Sequence, residues 1–122
     1  MIPLILAAAV SCIAIDGDTL RCGKDRVRLL GIDAPEMPGH CRRGRMCAPG
    51  DPYASKASLA KIIAGSGLRI EAVTRDRYGR VVAMVWAGDR NLSCAQLKAR
   101  QAIYMAKWDN GRRLAKVCSY AR

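Results

Sequence analysis

A chain of 122 residues fits one domain with one core and has no room for a second. Hydrophobic residues make up 51%, yet much of that is alanine, Phe is absent and aromatics reach only 5%, which excludes a large aromatic core and suits a small barrel or sandwich. A net charge of +11 and a pI near 9.9 point to a polyanionic partner, nucleic acid before anionic lipid, because the basic residues run through the chain and not in a tail.

Residues 1–15 carry no charged side chain. The stretch 2–9 is similar to the end of a signal h-region, but it lacks a basic n-region and is too short to span a bilayer. Residues 1–7 are therefore read as a leader remnant or a disordered N-terminus, and 8–122 as a single domain. The apolar, β-prone run 10–15 is followed by Asp16-Gly17-Asp18-Thr19, a tight turn, and strand character resumes over 20–22, so the pair reads as a hairpin. After Gly23-Lys24-Asp25 a third strand is expected over 26–32, with Val27, Leu29 and Gly31 on one face and Arg28, Leu30 and Ile32 on the other. Arg28 thus shares a face with apolar neighbours, and its guanidinium is expected to enter a cleft. The strand runs directly into Asp33-Ala34-Pro35-Glu36.

Residues 37–52 form a loop rich in Pro, Gly and Arg, longer than most connections and holding Cys41 and Cys47. Asp51 or Ser55 is placed to cap a helix in which Tyr53, Ala57, Leu59, Ala60, Ile62, Ile63 and Ala64 recur at helical spacing until Gly65-Ser66-Gly67. Strands follow over 68–73 and 81–86, joined by the turn Asp76-Arg77-Tyr78-Gly79-Arg80, and then helices from 91 or 93 to 102 and, more weakly, over 111–117. The expectation is an α+β domain: five strands closing into a small Greek-key barrel of the oligonucleotide-binding type (OB-fold), with about three helices.

Four acids in so basic a chain, Asp16, Asp18, Asp33 and Glu36, require an account. Carboxylates gathered near arginine suit a hard metal ion and a phosphate held together. Singly, each has a plainer explanation: Asp16 and Asp18 as turn formers, Asp33 as a cap, Arg28 as a buried ion-pair partner. Asp16 is read as a turn former.

Three motifs in order, Ile15-Asp16-Gly17-Asp18-Thr19, Arg28-Leu29-Leu30-Gly31-Ile32-Asp33-Ala34-Pro35-Glu36 and Asp76-Arg77-Tyr78-Gly79-Arg80, resemble the thermonuclease, or staphylococcal-nuclease-like, family over most of residues 9–105. The resemblance implies a five-stranded barrel with three helices and calcium-dependent cleavage of DNA and RNA that leaves 3′-phosphates. It implies Asp18 and Asp33 as calcium carboxylates, with the main-chain carbonyl of Ala34 as a third ligand, Arg28 and Arg80 as phosphate-binding groups, and Glu36 as general base. Arg77 and Tyr78 match positions near a terminal phosphate and base, while Trp108 and Tyr104 offer stacking surfaces. The family often has Thr where Ala34 stands, and a main-chain ligand tolerates that change. No groove-reading helix is apparent, so little base specificity and a monomer are expected. The competing class is a silent nucleic-acid-binding module on the same barrel.

The six cysteines suggest disulfides and an oxidising compartment, so the chain is expected to be exported, periplasmic or secreted, with a cytoplasmic location left open. Cys12 and Cys22 fall opposite each other across the first hairpin, Cys41 and Cys47 bracket Arg42-Arg43-Gly44-Arg45, and Cys94 with Cys118 ties a helix to the tail. These three pairings are expected. The rival, a zinc site of His40, Cys41 and Cys47, lacks Cys-x₂-Cys spacing.

Overall fold

The computed structural model describes residues 11–122, so the leader expected over 1–7 and the start of the first expected strand lie outside the described residues. Strands β1 (Cys12–Ala14) and β2 (Thr19–Cys22) form the expected hairpin, with Cys12 directly opposite Cys22. β3 (Asp25–Leu29) extends it antiparallel. An apolar β6 (Val81–Ala87) then lies parallel to β3 and antiparallel to β5 (Leu68–Arg75), whose register shifts between Ala72 and Thr74. The order is β1-β2-β3-β6-β5, with a short β7 (Arg90–Asn91) on β6. The α+β class is as expected. Among the described residues, however, the hydrogen-bonded path is an open sheet, its end strands β1 and β5 not paired to each other.

The third strand stops three residues earlier than its pattern suggests. Gly31 adopts φ +82°, a conformation that favours glycine, and a Cβ there would stand 3.0 Å from Leu114 Cδ2. The chain then forms β4 (Ile32–Asp33), which pairs with β8 (Ile103–Tyr104) in a separate two-stranded ladder. Leu30 and Ile32 therefore enter the core.

Helix α1 (Pro52–Ile63) starts where Asp51 accepts from the Tyr53 N–H at 2.9 Å, with Pro52 in the first turn. Helix α2 (Leu92–Lys98) is capped by Asn91, which accepts from Cys94 N at 2.9 Å. It ends before the expected residue 102 because Arg100 turns left-handed at φ +60° and Gln101 N reaches back to the Gln96 carbonyl at 2.9 Å. The helix expected over 111–117 is absent. Gly111 and Arg112 take positive φ, leaving only 3-10 turns at Ala106–Trp108 and Asn110–Arg112. Asp109 satisfies that segment instead: its buried carboxylate accepts from Leu114 N at 2.8 Å, Ala115 N at 3.0 Å and the Tyr104 hydroxyl at 2.6 Å.

Leu20, Leu29, Leu30, Ile32, Leu59, Leu92 and Leu114 are fully buried and form the centre of one core. All three expected disulfides are present, with Cα separations of 4.3 Å (Cys12–Cys22), 6.2 Å (Cys41–Cys47) and 5.6 Å (Cys94–Cys118). The first crosslinks β1 to β2, the third ties α2 to the C-terminal segment, and Cys41–Cys47 closes a ring in the loop before α1. Among the described residues no helix is long and apolar enough to cross a membrane.

Candidate active site

The turn between β1 and β2 is built by Asp16, whose Oδ1 accepts from Asp18 N at 3.0 Å. It packs directly onto α1: a Cβ on Gly17 would overlap Ser55 Oγ and crowd Ala34 Cβ. From α2 the fully buried Gln96 holds both parts, donating to the Gly17 carbonyl at 2.8 Å and the Ser55 carbonyl at 3.0 Å while accepting from the Ser58 hydroxyl at 2.6 Å. The turn is thus clamped from two helices far away in sequence.

This clamp aims Asp18 inward. Its Oδ1 accepts from the Thr19 hydroxyl at 2.9 Å, and its Oδ2 accepts from Ala34 N at 2.8 Å and faces Arg28 Nη1 at 3.1 Å. The kink at Gly31 brings Asp33 to the same guanidinium, Oδ1 lying 3.7 Å from Arg28 Nη2, which also donates to the Ile32 carbonyl at 3.1 Å. One arginine therefore touches two aspartates that are 2–3% exposed. Trp108 covers it, with the ring centre 5.0 Å from the guanidinium carbon.

Charge crowds here. Burial first, then the neighbouring Asp18 charge, pushes the Asp16 carboxyl up to about 7. Burial and Asp18 also raise Asp33, against the pull of Arg45 and Arg28. Asp18 moves the other way: although burial opposes ionisation, the Arg28 charge and its hydrogen bonds hold it below the usual carboxylate range.

A second arginine neutralises the outer acids. Arg45, inside the Cys41–Cys47 ring, places Nη2 at 3.3 and 3.2 Å from the two Asp33 oxygens and Nη1 at 3.0 Å from Glu36 Oε2. With both of the ring's cysteines in a disulfide, a zinc site of His40, Cys41 and Cys47 has no thiolates to use.

The β5–β6 turn forms the opposite wall. Asp76 accepts from Tyr78 N at 2.9 Å, Arg80 N at 3.0 Å and Arg80 Nε at 2.7 Å, which fixes Arg80. Around the half-exposed Tyr78 ring lie the guanidinium carbons of Arg77, Arg80 and Arg42, at 5.1, 5.4 and 5.4 Å from its centre. Arg77 also donates to the Tyr78 hydroxyl at 3.0 Å, which with the nearby positive charge lowers that phenol's pKa. Tyr104 is committed to Asp109 and offers no free hydroxyl.

Between these walls opens a cleft of about 910 Å³ lined by Arg28, Glu36, Arg45, Arg77, Tyr78, Arg80 and Trp108 among others. Asp18 and Asp33 do not line it; they reach it through Arg28 and Arg45, which do. Arg28, Arg80, Glu36, Arg77 and Tyr78 therefore share one cavity, with the two aspartates and Ala34 behind Arg28. Asp16 is the turn former the sequence suggested, whereas sequence reasoning missed the parts of Arg45, Gln96 and Asp109, whose partners no short motif announces.

The donor set suits a hard cation. Two carboxylates and main-chain oxygen leave most of a calcium coordination sphere to water and phosphate oxygens. Among the described residues no three His, Cys, Asp or Glu side chains group as a self-sufficient metal cage. Such an ion would be held jointly with substrate.

Comparison with known proteins identifies the family. The family model described as staphylococcal nuclease homologue matches residues 26–121. The thermonuclease of Staphylococcus intermedius is 39% identical over 83 residues, 62% of this chain and 46% of its own. The staphylococcal-like nuclease CAN1 of Arabidopsis thaliana is 30% identical over 120 residues, covering 97% of this chain and 33% of its own. A probable endonuclease, LCL3, of Yarrowia lipolytica is 37% identical over 78 residues, 59% of this chain and 32% of its own. The chain thus spans from under a third to under half of the length of these relatives. By its sequence, the chain belongs to the staphylococcal nuclease family.

Proposed function

We propose that this chain is a calcium-dependent nuclease that hydrolyses phosphodiester bonds of DNA and RNA with little regard to sequence, through an OB-type barrel that the open sheet approximates. One observation carries the reading: a single buried guanidinium, Arg28, bridges two aspartates at 3.1 and 3.7 Å on the wall of a cationic cleft that also holds Arg80 and Glu36. The thermonuclease and endonuclease names of its relatives support the same class.

Asp18, Asp33 and the Ala34 carbonyl would hold calcium, which when bound supplies positive charge to a phosphoryl oxygen. Arg28 and Arg80 meet the other phosphoryl oxygens with planar, permanently charged forks as negative charge builds in the transition state. Burial would discharge Arg28, but Asp18 and Asp33 outweigh it and hold its proton more tightly than usual. Glu36 takes the proton of the attacking water as the new P–O bond forms. The P–O5′ bond breaks, the 5′-oxygen leaves with a solvent proton, and the 3′-phosphate stays on the other fragment. Arg77 and Tyr78 receive the neighbouring nucleotide. Three disulfides fit an exported, periplasmic or secreted monomer.

The test is digestion of heat-denatured DNA in calcium and in chelator, by wild type and Glu36→Gln. The reading expects degradation in calcium only, and a fall of about 10²–10⁴ in turnover for the variant. Binding without cleavage under both conditions would instead identify a silent nucleic-acid-binding module.

A further inference from the structure

The Cys41–Cys47 ring belongs to no part of the mechanism above, yet it spans the cleft. At one end Arg45 grips Asp33 and Glu36 at 3.0–3.3 Å; at the other Arg42 lies 5.4 Å from the Tyr78 ring centre on the opposite wall. Arg43 lines the same cavity. Its apolar side chain Met46 is 92% exposed, so the ring is not anchored by burial. What holds it down is charge and a cation–π contact, both reversible and both exchangeable for phosphate. The ring's backbone is meanwhile kept in shape by the disulfide and by Arg45 N bonding the Arg42 carbonyl at 3.0 Å.

The ring also carries arginine beyond what one phosphate requires. Arg28 and Arg80 already provide forks for a scissile group, and a cleft of about 910 Å³ lies at the upper end of small-molecule sites. The chemistry that matches additional guanidiniums on a shared cleft is a chain of successive phosphates.

Resting on the nuclease reading, we propose that the disulfide-closed ring is a phosphate clamp. Arg45 leaves Asp33 and Glu36, and Arg42 leaves Tyr78, to bind the phosphates flanking the scissile one in a single-stranded nucleic acid. Arg45 thus serves as counter-ion to the acids until substrate arrives, then changes partner. Its departure also frees Glu36 to receive a proton.

The experiment is binding of a labelled oligothymidylate in chelator, where nothing is cleaved, across a range of salt concentrations. For a single strand each phosphate neutralised contributes about 0.7 to the slope of log affinity against log salt. Arg42→Ala and Arg45→Ala should each make the slope shallower by about 0.7, and the double variant by about 1.4, with weaker binding at every salt. Arg45→Lys, which keeps the charge, should retain the slope. Arg69→Ala, a surface arginine that lines no part of the cleft, serves as control. Slopes for Arg42→Ala and Arg45→Ala no different from that control would overturn the clamp while leaving the nuclease reading intact. Wild type that fails to bind the oligonucleotide in chelator, together with Glu36→Gln that fails to bind it in calcium, would overturn both.

Discussion

At the scale of single residues, the site depends on arginines whose geometry matters as much as their charge. Arg28 contacts Asp18, Asp33 and the Ile32 carbonyl from a fixed fork. Arg28→Lys keeps a cation for the two buried carboxylates but cannot span them, so the protein should stay folded while kcat falls about 10²–10³, the usual loss for one preorganised donor. Steady-state kinetics alongside a melting curve separates this from simple destabilisation. Asp76 gives a pH signature. Burial works against its charged form, but the Arg80 and Tyr78 main-chain N–H groups and the Arg80 guanidinium outweigh it and lower its pKa. An acid whose pKa is depressed by folding stabilises above its unfolded pKa and loses that contribution as pH falls through the folded one. The Tm gap between wild type and Asp76→Asn should therefore be full above about pH 4 and shrink below it. A gap that is constant with pH would contradict the assignment. Arg28, Asp33, Glu36 and Arg80 could be picked out in the sequence because each sits within a short motif. Arg45 could not, since an arginine in a Gly- and Pro-rich loop shows nothing of the ion pairs it makes back to Asp33 and Glu36.

Among the elements, the hairpin, α1 and the β5–β6 pair follow their local signals: alternation, an Asp cap before proline, and a Tyr-Gly turn. The departures have tertiary causes. The third strand breaks at Gly31 because β4 finds β8, a partner some seventy residues on that no local pattern announces. The final expected helix gives way because Asp109 offers its carboxylate to three donors, and positive φ at Gly111 and Arg112 follows. The turn carrying Asp16 and Asp18 is likewise set by its neighbours. Gly17→Ala, forced against Ser55 and Ala34, should lower stability by about 1–3 kcal/mol in denaturant unfolding and weaken calcium binding in the same protein. Gln96→Leu leaves the Gly17 and Ser55 carbonyls without their buried donor and should cost about 1–3 kcal/mol. Calcium affinity unchanged in both variants would show that the helices do not position the turn.

For the whole molecule, a formal charge of +11 coexists with three acids at or just behind the cleft wall, Asp18, Asp33 and Glu36, and the fold reconciles them by spending arginines on those acids before any substrate arrives. Calcium and phosphate should then bind together, since each supplies what the other's partners lack. The most direct measurement is calorimetric titration of calcium into inactive Glu36→Gln, with and without a short single-stranded oligonucleotide. The account predicts that each ligand tightens the other by the same factor, about fivefold or more, and that Asp33→Asn in that background abolishes the coupling. Calcium and oligonucleotide binding independently would contradict it, because the aspartates and arginines would then serve separate sites.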